Sequence, residues 1–347
     1  MDSNTLELIN KWTSIIILLG LSSISCTQTL ACTIFTVKYE NEVYFGSNED
    51  SGLNGTYITF VPPQGDLHGY VWFGYEGNDH PWDGARLGGM NDQGLCYDEN
   101  WVPPKTIFAN PEKTPFPPGS YYNYFYFLEQ FELVKDIENY FSLHGTDYDY
   151  NVSLQAHWAD ATGDAAVASI GLDGQWIFTR NNETENYLIS TNQNIAFPAD
   201  SQPDVGSSRE RYNISKEMLD TFIQEENISV ISCKEVLNAV HFDGFTVYSH
   251  IFDLVNRDIY LYYYSDFDNA LRMNLDDELE KGYQKHRITD LFDKSLNSTM
   301  SSSSISESSA FSSSSNLTSG FIGIILFLLM TFFVIKRSLD NQNRRNG

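Results

Sequence analysis

The sequence predicts an α+β protein: antiparallel sheets with helices segregated on their faces, followed by one C-terminal transmembrane helix. Three observations lead there. Short runs of strand character gather before residue 75, between residues 155 and 191, and after residue 246. Blocks with apolar residues at three- and four-residue steps fall between these groups rather than after every strand, which argues against a parallel βαβ series. A single uncharged apolar run stands near the far end, at residues 321–335.

Residues 1–31 read as a signal peptide. An apolar run at 14–21 is followed by a polar, small-residue stretch ending Thr29-Leu30-Ala31, which suits signal peptidase. In the leading segment Asp2 and Glu7 oppose Lys11. Cleavage after Ala31 would leave Cys32 as the first residue.

Residues 32–294 form one domain of ordinary size without an internal repeat. It opens as a hairpin, with alternation over 33–37, a turn at Glu40-Asn41 and a return over 43–45. Further strand-like runs lie at 57–61, 70–73, 155–160, 165–171, 175–180 and 187–191. One helical block covers 121–143, where Tyr124, Phe127, Leu128, Phe131, Val134, Ile137 and Phe141 recur at helical steps. Two more helices are predicted over 209–224 and 234–240, the second entered through a capping box of Ser232 and Glu235. The closing strands fit 246–253 and 258–264.

Residues 295–319 are rich in serine and lack the apolar content that offsets chain ordering, so they read as a disordered stalk. Residues 320–336 read as the transmembrane helix, since about 17–25 residues typically span and some bilayer thinning is tolerated. Lys336, Arg337, Arg344 and Arg345 follow, making 337–347 a basic cytoplasmic tail and placing the domain outside the cytoplasm. A cleaved lipid-anchor signal would end in its hydrophobic tail, whereas this chain continues. The expected location is the cell surface or secretory pathway.

The formal charge of −25 argues against nucleic acid as a partner, because phosphates need basic surface. Asn-x-Ser/Thr sequons begin at Asn54, Asn151, Asn182, Asn213, Asn227, Asn297 and Asn316, in keeping with a glycosylating secretory route. Cys26 leaves with the signal peptide; Cys96 and Cys233 either pair or remain buried thiols. The segment from Asp266 has calcium-like oxygen spacing but lacks the glycine of an EF-hand turn, and reads as a solvated acidic helix start. His157 with Asp160, and Asp79-His80 with Trp82-Asp83, lack the His/Cys spacing of a zinc site.

Cys32 carries the chemistry. As a first residue it would hold a free α-amino group beside its thiol, and an amine of pKa about 7.7–8.0 can take the thiol proton near neutral pH. The plainer alternative is a secreted protein whose first residue happens to be cysteine. The segment CTIFTVKYENEVYFGSNED from Cys32 resembles the amino terminus of the cysteine-type N-terminal-nucleophile (Ntn) hydrolases. These are the linear-amide C–N hydrolases: bile salt hydrolase, penicillin V acylase and the isopenicillin-N acyltransferases. Their mature chains begin Cys-Thr, pass through a hairpin and reach a Gly-x-Asn-x-Asp segment, matched here by Gly46, Asn48 and Asp50. GGMNDQGLCYDENW from Gly88, LQAHWADATGDAAVASI from Leu154, Thr191-Asn192, SSRERY from Ser207 and YSHIFDLVNRDIYLYYY from Tyr248 resemble later family segments in order.

The resemblance implies an αββα sandwich of two antiparallel sheets. It makes Cys32 the nucleophile, with its own amine as base and Asp50 fixing their geometry; otherwise Asp50 is an ordinary turn aspartate. It makes Asn192 a donor to the oxyanion, a role worth about 2.7–4 kcal/mol of barrier in other enzymes. Arg211 matches an arginine near the nucleophile that would favour thiolate, and Arg209 competes for that role. Asn100 matches a second oxyanion donor if a one-residue gap is allowed. Ser47 departs from the arginine of bile salt hydrolases, which sets bile-salt and penicillin V specificity in doubt.

The implied reaction is hydrolysis of a small-molecule N-acyl amide through a thioester, without metal or organic cofactor. Part of the aromatic cluster at 121–127, otherwise core packing, could line an acyl pocket. The alternatives are an acyltransferase of the same group, a dipeptidase-branch Ntn hydrolase, and a non-catalytic surface-tethered binding protein. In the last, Cys32 is structural or lipidated, although Thr29 stands where a lipobox usually has leucine.

Overall fold

Cys32 leads directly into a hairpin of β1 (Thr33–Tyr39) and β2 (Glu42–Asp50), paired from Thr33 opposite Asn48 to Tyr39 opposite Glu42. Glu40 makes the turn with a left-handed backbone, φ 52°. Alternation sends Ile34, Val43 and Phe45 into one core and Phe35, Val37 and Tyr44 into another. Gly46 faces Phe35 across the hairpin, and a Cβ there would lie 2.5 Å from the ring. The glycine of the Gly-x-Asn-x-Asp segment is therefore a packing requirement. The computed structural model describes residues 32–51, 55–75, 86–117, 124–180 and 186–293. The predicted signal peptide, stalk, span and tail lie outside the described residues, as do Asp79-His80, Trp82-Asp83, Asn54, Asn182, Asn297 and Asn316.

The chain continues through β3 (Thr56–Val61), β4 (Tyr70–Tyr75), β5 (Arg86–Asn91), β6 (Cys96–Ile107) and the short β7 (Thr114–Pro115). Helices α1 (Phe125–Gln130) and α2 (Val134–Leu143) come next, then β8 (His144–Gly145), β9 (Tyr150–Ala159), β10 (Ala165–Ile170), β11 (Trp176–Thr179) and β12 (Tyr187–Ser190). Helices α3 (Ser208–Gln224) and α4 (Val230–Ala239) precede β13 (Thr246–Asp253), β14 (Asp258–Tyr263), β15 (Asp266–Asn274), α5 (Leu275–Glu280) and β16 (Gln284–Arg287). One sheet has the order β12-β1-β2-β13-β14-β15 and the other β11-β10-β9-β6-β5-β4-β3-β16. Both of these sheets are antiparallel throughout, and β7 pairs with β8 in a separate parallel two-stranded sheet.

Packing defines the layers. Ile34, Phe45 and Phe252 of the first sheet meet Phe60, Phe73 and Met90 of the second in the central core. Phe127, Leu128 and Ile137 of α1 and α2 cover Tyr97 and Trp158 on the second sheet. Leu219, Val236 and Leu237 of α3 and α4 cover Phe35 and Ile251 on the first. The layers run helix, sheet, sheet, helix: an α+β sandwich, as expected.

Several expectations need correction. Residues 121–123 of the predicted helical block lie outside the described residues, and the rest of it is two helices, because Phe131 and Leu133 are extended. Tertiary partners satisfy the broken ends: Asn91 Nδ2 donates to the Leu128 and Phe131 carbonyls, each at 2.8 Å, and Asp160 Oδ2 accepts from the Val134 amide at 2.9 Å. Helix α4 begins at Val230, and its capping box is Ser229 with Ser232 rather than Ser232 with Glu235. The segment from Asp266 is strand as far as Asn274, and its acidic helix starts only at Leu275. Strand β6 continues through Pro103 and Pro104 because the pairing is irregular between Trp101 and Lys105, where no amide donor is needed. Cys96 and Cys233 are free buried thiols in separate cores. Phe125 and Phe127 are core residues, and His157 bonds Thr36 Oγ1 and Ser190 Oγ. Asn151, Asn213 and Asn227 are exposed. Among the described residues no helix is long and apolar enough to cross a membrane.

Candidate active site

Cys32 stands at the head of β1, 4% exposed, with the inter-sheet core on one side and α3 on the other. Its carbonyl oxygen is a gathering point. Asn100 Nδ2 on β6 donates to it at 3.1 Å, and Arg211 Nη1 on α3 donates to it at 2.8 Å. Arg211 also reaches Thr33 Oγ1 at 2.5 Å, Asn192 Oδ1 at 2.7 Å and, through Nε, the Gly206 carbonyl at 2.9 Å. Its position follows from the entry to α3: Gly206 and Ser207 both adopt left-handed backbone (φ 54° and 53°), turning the helix so that Arg211 in its first turns points inward. Arg209 points outward to Asp200 at 3.4 Å. The structure thus brings Arg211, and not Arg209, to the cysteine.

Asn192, just beyond β12, has its amide oriented by that guanidinium. Oδ1 accepts from Arg211, so Nδ2 faces the Trp101 carbonyl and donates to it at 2.8 Å. One N–H of the amide is thereby engaged and the second remains for another acceptor. Asp50 touches Cys32 through its backbone; its carboxyl accepts from Thr246 Oγ1 and feels the charge of Arg211. The expected carboxylate bond to the thiol is therefore absent in this state. Asn48, by contrast, is architectural: it donates to the Leu237 carbonyl at the end of α4 (2.9 Å) and accepts from Ser249 Oγ (2.7 Å).

Sequence reasoning missed two residues. Gln155 on β9 donates to the Thr191 and Gln193 carbonyls at 2.8 and 2.9 Å and to Asn100 Oδ1 at 3.4 Å, tying the two asparagines into one framework. An amide side chain between Leu154 and Ala156 on a strand was its only signal. The other is Glu49, whose Oε2 accepts from the Cys32 thiol at 3.4 Å. Burial first, then the nearby Glu49, Asp50 and Asp98, push the Cys32 thiol well above its ordinary range. The arginine does not reverse this, being engaged by carbonyl and amide oxygens. This environment favours the thiol over the thiolate. Burial likewise raises Glu49 to about 8 and Asp50 and Asp98 to about 7. Beside the Thr191–Gln193 segment opens a cleft of about 380 Å³ lined by Ile189, Ile195, Phe197 and Tyr212 among others.

A four-layer antiparallel sandwich with a cysteine at the head of its first strand is the kind of fold seen in Ntn hydrolases. The chain is similar to two variants of conjugated bile acid hydrolase from Clostridium perfringens. One matches with TM-score 0.58 and 16% identity over 74% of this chain and 97% of that one. The other matches with TM-score 0.57 and 16% identity over 73% and 96%. It is also similar to penicillin V acylase from Agrobacterium tumefaciens, with TM-score 0.52 and 15% identity over 74% and 91%. At these identities the likeness is one of fold. No family model matches the chain, and no curated protein matches it.

Proposed function

We propose that this protein is an amidohydrolase that cleaves linear, non-peptide C–N bonds of N-acyl amides through Cys32. The observation that carries the reading is the convergence of Asn100 and Arg211 on the Cys32 carbonyl, with Asn192 held on the same guanidinium. In this reading a signal cut after Ala31 frees the Cys32 amine, which accepts the thiol proton as sulfur attacks the substrate carbonyl. Asn192 and Asn100 supply N–H donors to the oxyanion, Arg211 holds their framework, and Asp50 steadies the amine in its protonated form. The amine product leaves, and water hydrolyses the thioester. Ser47, in place of an arginine, supports a substrate other than a conjugated bile acid or penicillin V.

In the same proposal the domain faces away from the cytoplasm on a Ser-rich stalk and a single span, with sugars at some sequons. The exposure of Asn151, Asn213 and Asn227 supports the last point. A screen of N-acyl amides against the wild type and Cys32→Ser tests the function. Turnover and a trapped acyl thioester are expected for the wild type, with activity at least about 100-fold lower in the variant. Equal turnover by both proteins would remove Cys32 from the chemistry.

A further inference from the structure

Alternation along β2 directs Val43, Phe45 and Glu49 to the face that meets the second sheet. The first two fill that space with apolar atoms; Glu49 places a carboxyl there, 3% exposed. Both its oxygens are engaged. Oε2 accepts from the Cys32 thiol at 3.4 Å, and Oε1 accepts from the Tyr75 hydroxyl at 3.0 Å. Tyr75 is in turn in hydrogen-bond contact with Ser51 Oγ. Packing does not explain this choice, since burying a carboxyl without a cation is unfavourable where an apolar side chain would fit. Among the described residues no lysine or arginine pairs with Glu49, and Arg211 is committed elsewhere.

We propose that Glu49 is a further catalytic residue, a carboxylate that exchanges a proton with the Cys32 sulfur, and that Tyr75 is its positioning residue. This rests on the amidohydrolase reading. As the sulfur electron pair forms the bond to the substrate carbonyl carbon, the thiol proton passes to Glu49 Oε2 and the C=O π pair moves onto oxygen. When that pair re-forms C=O, the C–N bond breaks and the departing nitrogen takes the proton from Glu49. Water then repeats the sequence: it gives a proton to Glu49 while its oxygen attacks the thioester, and the expelled sulfur recovers that proton. One amide and one water become one acid and one amine, with the carboxylate unchanged. Glu49 shares with the freed amine a task that the amine alone would otherwise carry.

Among the described residues, the groups facing Glu49 are Cys32, Asp50, Asp98, Glu99, Tyr75 and Tyr248, none of them cationic. Burial and the charge of Asp98 raise its carboxyl to about 8, while the Tyr75 and Cys32 hydrogen bonds oppose the rise. Its proton equilibrium lies near neutrality, where a group that both accepts and returns a proton works best.

Single-turnover release of p-nitroaniline from N-octanoyl p-nitroanilide, followed against pH, tests the inference in the protein as processed by a secreting cell. Glu49→Gln is expected to slow thioester formation by about 100-fold or more with KM within about threefold, and Glu49→Asp to recover part of the rate. Tyr75→Phe removes a donor that favours the carboxylate, so the acid limb of the profile should move to higher pH, which a purely structural tyrosine would not do. If Glu49→Gln fails to fold, the Tyr75→Phe profile decides alone. Wild-type rates in Glu49→Gln, or an unmoved limb in Tyr75→Phe, would overturn the role of Glu49 while Cys32→Ala remains inactive. No thioester on the wild type, or turnover by Cys32→Ala, would overturn the amidohydrolase reading instead.

Discussion

Arg211 is the residue on which the site turns, because one planar guanidinium joins α3 to Cys32, Thr33 and Asn192. A lysine carries the charge but has no fork to span three acceptors. Arg211→Lys is therefore expected to lower kcat/KM by about 100-fold or more, on the scale of losing an oxyanion donor, and to lower Tm. Arg209→Lys, at a partly exposed position, should leave stability within about 0.5 kcal/mol and activity within about twofold. Steady-state kinetics and a melting curve for each variant check both statements. The resemblance favoured Arg211 and left Arg209 as its competitor; residues two apart on a helix point to different sides, and the left-handed turn at Gly206 and Ser207 sets which side faces Cys32. Glu49 was illegible for a related reason. It looks like any strand carboxylate until Tyr75 and Cys32, 26 and 17 residues away, are seen on its two oxygens.

At the scale of elements, the hairpin at Cys32 and the strands β13 and β14 were readable because period-two runs end at clear turns. The break between α1 and α2 was not. Both helices bury their faces on the same sheet, so helical spacing continues across residues whose backbone is extended. The side chains that end one helix and start the next, Asn91 and Asp160, come from the end of β5 and the turn after β9. Cap position was equally ambiguous, since serine occurs at both 229 and 232. Ser229→Ala should cost about 1 kcal/mol, read from a denaturant midpoint shift at constant m, whereas Glu235→Ala should cost less than half of that. Gly46→Ala sets a methyl against the fully buried Phe35 ring and should destabilise by about 1–3 kcal/mol in the same measurement.

For the whole molecule, the buried carboxyls make stability depend on pH. Glu49 is held at about 8 and Asp50 and Asp98 at about 7, above their unfolded values, so the folded protein binds more protons than the unfolded chain. Their contribution is fully present below about pH 4 and is lost as pH rises through 7 to 8. Tm should therefore be higher at pH 5 than at pH 8, and Asp98→Asn should flatten the difference; a wild-type protein more stable at pH 8 would contradict this. The formal charge of −25 acts in the same direction through self-repulsion, which is why the variant is needed. The catalytic account depends on Cys32 becoming a first residue. Its most direct test is mass spectrometry of the amino-terminal peptide from protein made in a secreting cell and quenched during turnover of an N-acyl amide. The expected peptide begins at Cys32 and carries one acyl group on sulfur; a peptide in which Cys32 is still joined to Ala31 during turnover would contradict the account.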